Sequence, residues 1–332
     1  MKKFHVISIA MGAALLVWLV VRIGPLALWH QLGVLGWWLA PLILIQAGAD
    51  LLHTLAWRRC LARDHQRFSF GRIYQIYMAG FALNYLTPTA QMGGEVTRGT
   101  LLTSRGSGSD AASGVIIGKL SEAIALLLFV SVGSLFILSA AELPHGLFPA
   151  LAAGSILMGG GIAAFLLLQR FGKLGSLVRW LSERNVGGQA LVRLAENLSK
   201  VDARMMRFHR ERPWDLLASI GWHMAGSVVG ILQAALFLYA LTGRPMLTQA
   251  CGVWLLSSWF NLLAFAVPLG IGIHEGGRVL AFRIMGLDAV MGLTYGITLR
   301  LEQIFWALFG LGTYALLMND QRRTRPVPLH PE

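Results

Sequence analysis

Apolar runs long enough to cross a bilayer as helix recur from one end of this chain to the other. A hydrocarbon core of about 30 Å needs roughly 20 residues of helix, and inside lipid every backbone N–H and C=O has to find its partner within the structure. A bundle of membrane helices satisfies both demands, whereas the short alternating strands of a transmembrane barrel do not occur in this sequence. Composition agrees, because 55% of the 332 residues are hydrophobic, only 13% are charged and the mean hydropathy is +0.61, a balance foreign to water-soluble domains. The expected fold class is all-α, a polytopic membrane protein with 1–332 forming one transmembrane domain.

The formal charge of +12 would suit nucleic acid if the basic residues shared one face. They sit instead between the apolar runs, so topology explains them and no nucleic acid is expected as partner. Cys60 and Cys251 are the only cysteines; neither has metal-ligand spacing and no disulfide is expected. Lys2 and Lys3 precede an apolar run to Val21 that lacks a small-residue cleavage pattern, which reads as a retained span.

Eight apolar segments stand at 4–23, 35–56, 73–90, 113–140, 147–169, 215–241, 249–267 and 289–317. If all crossed, starting from cytoplasmic Lys2 and Lys3, the loop from Arg170 to Arg212 with its ten Lys/Arg and four acids would fall outside, against the positive-inside rule. Letting 73–112 and 249–288 enter and leave by one face, as re-entrant hairpins, returns every basic cluster to the cytoplasm. About six spanning helices plus two re-entrant hairpins are therefore expected, with both termini cytoplasmic in a bacterial inner membrane. Residues 170–213 form a connector; Leu174, Leu177, Val178 and Leu181 beside Arg170, Lys173, Arg179 and Arg184 give it either amphipathic helices on the membrane surface or a merely solvated link. Trp29, Trp37, Trp38, Trp57, Trp214 and Trp222 fall near the expected interfaces and read as aromatic anchors.

An offset of 180 residues aligns Pro88 with Pro268, Glu95 with Glu275, Arg98 with Arg278, Gly106 with Gly286 and Glu122 with Glu302, without a gap. Charged residues inside a membrane are costly and scarce, so their recurrence in register has force despite low overall identity. Repeat A, 35–140, and repeat B, 215–317, would run in opposite directions across the membrane. That is an inverted-topology repeat, the plan on which transporters bring broken helices together near the midplane and alternate access.

Each hairpin carries a proline and glycines that break a helix and restart it. The first reads Asn84, Pro88, Gly93, Gly94, Glu95 and Arg98; the second reads Asn261, Pro268, Gly270, Gly272, His274, Glu275 and Arg278. Helix N-termini at the tips, with an arginine one turn on, suit an anion such as a phosphate, so Gly93, Gly94, Glu95, Arg98, Gly272, His274, Glu275 and Arg278 are the candidate substrate-binding residues. The bland alternative is that each i,i+3 Glu–Arg pair neutralises itself. Glu122 and Glu302, close in sequence to Lys119 and Arg300, either titrate or bridge to the hairpins. His274 is a proton carrier or a packing residue, Asp50 lies on a polar stripe with Gln46 and His53, and Asn84 and Asn261 would satisfy backbone freed by the breaks. No catalytic set, nucleotide-binding loop, cofactor or metal cluster is visible.

The Gly93-Gly94-Glu95 tip followed by Arg98, Leu101, Leu102 and Gly106, together with Pro268, Gly270, Gly272 and Glu275, resembles the lysylphosphatidylglycerol synthase transmembrane region family of flippase-like proteins, and is similar to its hopanoid-associated branch. The resemblance implies a protein that flips or transfers a polar lipid, with the chain holding the translocating part alone. Lipid-biosynthesis enzymes would be partners. A membrane-embedded lipid-modifying transferase, with Glu95 or Glu275 as general base, and a structural member of an envelope-lipid assembly are the competing readings.

Overall fold

Pairing every backbone group within its own segment leaves little but helix. In the computed structural model, which describes residues 25–66, 68–86, 92–103, 108–140, 210–263 and 272–324 with scattered positions elsewhere, no strand occurs among the described residues. The helices are α1 (Pro25–Leu35), a 3-10 turn (Gly36–Trp38), α2 (Leu39–Leu44), α3 (Gln46–Cys60), α4 (Arg63–Gln66), α5 (Phe70–Leu86), α6 (Met92–Leu102), α7 (Gly108–Ala140), α8 (Pro213–Thr242), α9 (Leu247–Leu263), α10 (Ile273–Ile284) and α11 (Ala289–Thr324). Among the described residues four stretches are long and apolar enough to cross a membrane: Trp29–Cys60, Asp110–Ile137, Pro213–Thr242 and Ala289–Asp320. Of the expected segment 4–23 only Val21 is described, more than half of 147–169 and most of the connector 170–213 lie outside the described residues, and so do Pro88, Gly106, Pro268 and Gly270.

Lipid, not water, surrounds these helices. Leu301, Ile304, Phe305, Leu308, Phe309 and Leu316 form an exposed apolar face on α11, while Glu302 and Thr313 of the same helix are buried. Such a face is a liability in water and costs nothing in hydrocarbon. Association then rests on close approach at small residues: Trp57 lies against Gly118, Leu255 against Gly133, Trp254 against Gly230, and the Met78 carbonyl against Gly310. Trp57 corrects its expected role as an interfacial anchor. It is buried at the α3–α7 contact beside Tyr77, whereas Trp29, Trp37 and Trp214 are exposed. Cys60 closes α3 and is buried, its thiol 3.2 Å from the Ser219 hydroxyl and 3.5 Å from that of Ser121.

The central contact is between α3 with the preceding turn of α2 and α8, and it is antiparallel. Leu42 lies against Gln233, Gly48 against Val229, His53 against Gly226 and Arg59 against Asp215. The end of the bundle where α3 stops is densely charged. Arg212 donates to the Leu61 and Arg59 carbonyls at 2.8 and 2.9 Å and pairs with Asp215 at 2.8 Å, and Gln66 donates to the Leu61 carbonyl at 3.0 Å. These side chains satisfy the carbonyls that a helix leaves unpaired at its C-terminus. Arg72 pairs with Asp320 at the same end, at 2.8 Å.

From that end α5 departs, and from the far end of α8 departs α9. Each is 17 residues long, about 25 Å of helix, and each is followed by a shorter helix folded back on it. Arg98 of α6 donates to the Tyr77 carbonyl of α5 at 3.3 Å, and Gly277 and His274 of α10 lie against Phe260 and Asn261 of α9. Two helical hairpins thus start at opposite ends of the α3–α8 pair. The long helices that follow complete the packing: α5 lies along α11, and α9 along α7.

A Cβ at Gly94 would collide with the Gly80 carbonyl oxygen and, at 2.6–2.7 Å, with the Asn84 side chain. Backbone cannot yield as a flexible side chain does. Gly94→Ala is expected to pry α6 from α5 and to cost about 1–3 kcal/mol, read as a lowered thermal unfolding midpoint in detergent. Gly99→Ala, where a Cβ meets nothing within 4 Å, serves as the control and leaves that midpoint in place.

Candidate functional site

The starts of α6 and α10 leave backbone N–H groups open, and polar side chains take them up. At the first tip the Gly94 N–H donates to Asn84 Oδ1 at 2.7 Å, and the Asn84 amide donates to Glu95 Oε1 at 3.4 Å. Thr97 donates to the Gly93 carbonyl at 2.9 Å. Glu95 then meets two cations, Arg98 at 3.4 Å and Lys119 of α7 at 3.9 Å, while Lys119 also holds Glu122 at 3.3 Å. Arg98 is 5% exposed, and its guanidinium carbon lies 4.1 Å from the Tyr77 ring centroid and 5.5 Å from that of Trp57. This cation–π seat is worth about 2 kcal/mol where water is excluded.

The second tip is built from the same residue types and wired differently. Gly272, at φ +77°, begins α10, and its N–H donates to Glu275 Oε2 at 2.7 Å. The positive φ suits glycine, and the carboxylate covers a donor that the helix start leaves open. The other oxygen of Glu275, a residue 1% exposed, accepts from Arg300 of α11 at 2.7 and 3.1 Å. Gly296 makes room for this carboxylate on α11, since a Cβ there would lie 3.2 Å from Glu275 Cγ. Asn261 hydrogen-bonds His274, which puts both in the wall of the hairpin.

The self-neutralising pair weighed as the alternative at each tip therefore exists at one of them. Glu95 and Arg98 meet; Glu275 turns to Arg300 instead. Arg278 is 5% exposed and makes no hydrogen bond or ion pair among the described residues, and its Nε is orphaned together with the hydroxyl of Tyr295. Buried polar groups are almost always paired, so each exception asks for an explanation. Electrostatically Arg278 feels Glu275, Tyr295, Arg300 and Glu302, two carboxylates already engaged elsewhere.

Between the tips lies a third group. Glu302 accepts from Gln233 of α8, whose amide also donates to the Leu42 carbonyl at 2.8 Å. Asp50, buried on α3, accepts from Gln46 at 3.1 Å, and the charges of Arg98 and Glu302 both bear on it. Glu122 and Glu302 thus reach different partners: Glu122 shares Lys119 with the tip carboxylate Glu95, and Glu302 ties α11 to α8. Gln233, Tyr295 and His223 were not singled out by the sequence, although a Gln, a His or a buried Tyr inside an apolar run is the signal that marks such positions.

The profile of the lysylphosphatidylglycerol synthase TM region family matches residues 5–312. No curated protein and no solved structure matches the chain. With nearly the whole length covered, four apolar stretches among the described residues long enough to span a membrane and charged hairpins packed among them, the chain belongs to the lysylphosphatidylglycerol synthase TM region family.

Proposed function

We propose that this protein carries a polar lipid across the bacterial inner membrane, with its termini on the cytoplasmic side, and that the lipid's anionic headgroup binds at the hairpin tips. One observation carries the reading: Arg278 is a buried guanidinium with no hydrogen-bond or ion-pair partner among the described residues of a membrane protein. A guanidinium matches a phosphate in charge and bidentate geometry, and a phosphodiester arriving from the bilayer would supply what the protein withholds.

The arrangement of helices supports movement as well as binding. Repeat A, 35–140, and repeat B, 215–317, meet along antiparallel α3 and α8, and their hairpins start from opposite ends of that pair. In this reading both hairpins are re-entrant and the repeats are inverted, so rocking one against the other opens the tips to each face in turn. The acyl chains stay in lipid, alongside the exposed apolar face of α11.

The full chain in vesicles with fluorescent phosphatidylglycerol tests this, by the loss of accessible label to a membrane-impermeant quencher. Movement faster than in protein-free vesicles is expected, and Glu95→Gln, Arg98→Gln, Glu275→Gln and Arg278→Gln are each expected to slow it by roughly 10- to 100-fold, the worth of a charged hydrogen bond. Rates unchanged in all four variants would refute the site. Covalent modification of the labelled lipid without movement would make the protein a transferase.

A further inference from the structure

His53 of α3 and His223 of α8 face each other with their Nδ1 atoms 2.8 Å apart and their ring centroids 5.0 Å apart. The contact lies on the seam between the two repeats. It is built rather than incidental: a Cβ at Gly226 would fall 2.7–3.1 Å from three atoms of the His53 ring, so that ring rests directly on the backbone of α8. His223 is 2% exposed, and its Nε2 has no hydrogen-bond partner. The charged groups bearing on the pair are Glu122 and Lys119 from α7 and Arg98 from α6; none from α5 or α9 does so among the described residues.

We infer that this pair is a proton-binding site that couples lipid movement to protons, an inference that rests on the transport reading above. When both rings are neutral, one donates from Nδ1 and the other accepts there, and the donor ring keeps an unshared electron pair on Nε2. A proton taken up at that Nε2 leaves the bridge intact and makes it an imidazolium-to-imidazole bond, which is roughly twice as strong. A second proton would set N–H against N–H and break it. The pair therefore holds one extra proton and no more, with the Glu122 carboxylate, whose side chain is 34% exposed, as countercharge and point of entry. Proton uptake clamps α3 to α8, proton loss frees them, and rocking of the repeats requires the loss.

Two measurements on the full chain decide this. In vesicles at equal inner and outer pH, movement of fluorescent phosphatidylglycerol is expected to slow by roughly tenfold as the pH is lowered from about 8 to about 3, the interval that holds protonation of this buried pair. His53→Gln and His223→Gln are expected to flatten that profile, and a wild-type profile retained in both would overturn the coupling. Independently of any lipid, nitrogen spectra of histidine-labelled protein in nanodiscs are expected to show an Nδ1–H···Nδ1 bridge that titrates with one proton and disappears in either variant. Absence of that bridge, or its failure to titrate, overturns the proton site. If the bridge titrates while no lipid moves at any pH, the proton site stands, the coupling falls and the transport reading falls with it.

Discussion

Replacing Arg278 with methionine is expected to abolish lipid movement and at the same time make the protein harder to unfold. The two effects have one cause. A buried cation without a partner carries a desolvation penalty of several kcal/mol, and Arg278 forms neither a hydrogen bond nor an ion pair among the described residues. Methionine fills much of the same space without that penalty, so a gain of about 1–3 kcal/mol is expected, a rise in midpoint of roughly 2–4 °C per kcal/mol for a chain of this size. Stability given up at a residue that binds ligand is a common trade in functional sites. Its counterpart Arg98 gives the opposite sign, because Arg98→Met removes a seat on Tyr77 and Trp57 and takes from Glu95 the nearer of the two cations it meets. Thermal unfolding of both variants in one detergent makes the comparison. A less stable Arg278→Met protein would mean that the guanidinium has a structural partner after all.

Arg300→Met, on α11, is expected to be the single change most damaging to the second hairpin. It strands Glu275, 1% exposed, whose carboxylate otherwise accepts two hydrogen bonds from that guanidinium. Breaking a buried pair from one side costs about 3–5 kcal/mol, because the remaining charge is left in a medium that cannot solvate it; the 19% exposure of the Arg300 side chain draws the figure to the lower end. Glu275→Gln in the same protein removes the stranded charge while keeping an acceptor for the Gly272 N–H. The double variant is accordingly expected to unfold at a higher temperature than Arg300→Met alone. Additive losses in the two single changes would show that the pair contributes nothing to the hairpin.

The wiring of the tips explains why part of this site escaped the sequence. Spacing of three places Glu275 and Arg278 one turn apart on any helix, and nothing local says that Arg300, 25 positions later, will compete for the same carboxylate. The competitor wins because α11 brings it alongside, with Gly296 leaving the space. Trp57 misled for a related reason. Tryptophan beside two arginines at the end of an apolar run has the composition of an interfacial anchor, yet the glycine at 118 offers it a slot inside the bundle. His53 was visible as part of a polar stripe, but its partner His223 lies 170 residues away, and only the antiparallel register of α3 on α8 brings the two rings together.

Hydropathy summed over about 20 residues is a local property, and so is the family's motif; from these the chain alone determined that it is an all-helical membrane protein of the lysylphosphatidylglycerol synthase TM region family. Which charge pairs with which was decided by tertiary structure. In a medium that cannot solvate an ion, a buried carboxylate takes whichever cation the packing of distant helices sets within reach. Here that packing gave Glu275 to Arg300 and left Arg278 with no hydrogen-bond or ion-pair partner among the described residues.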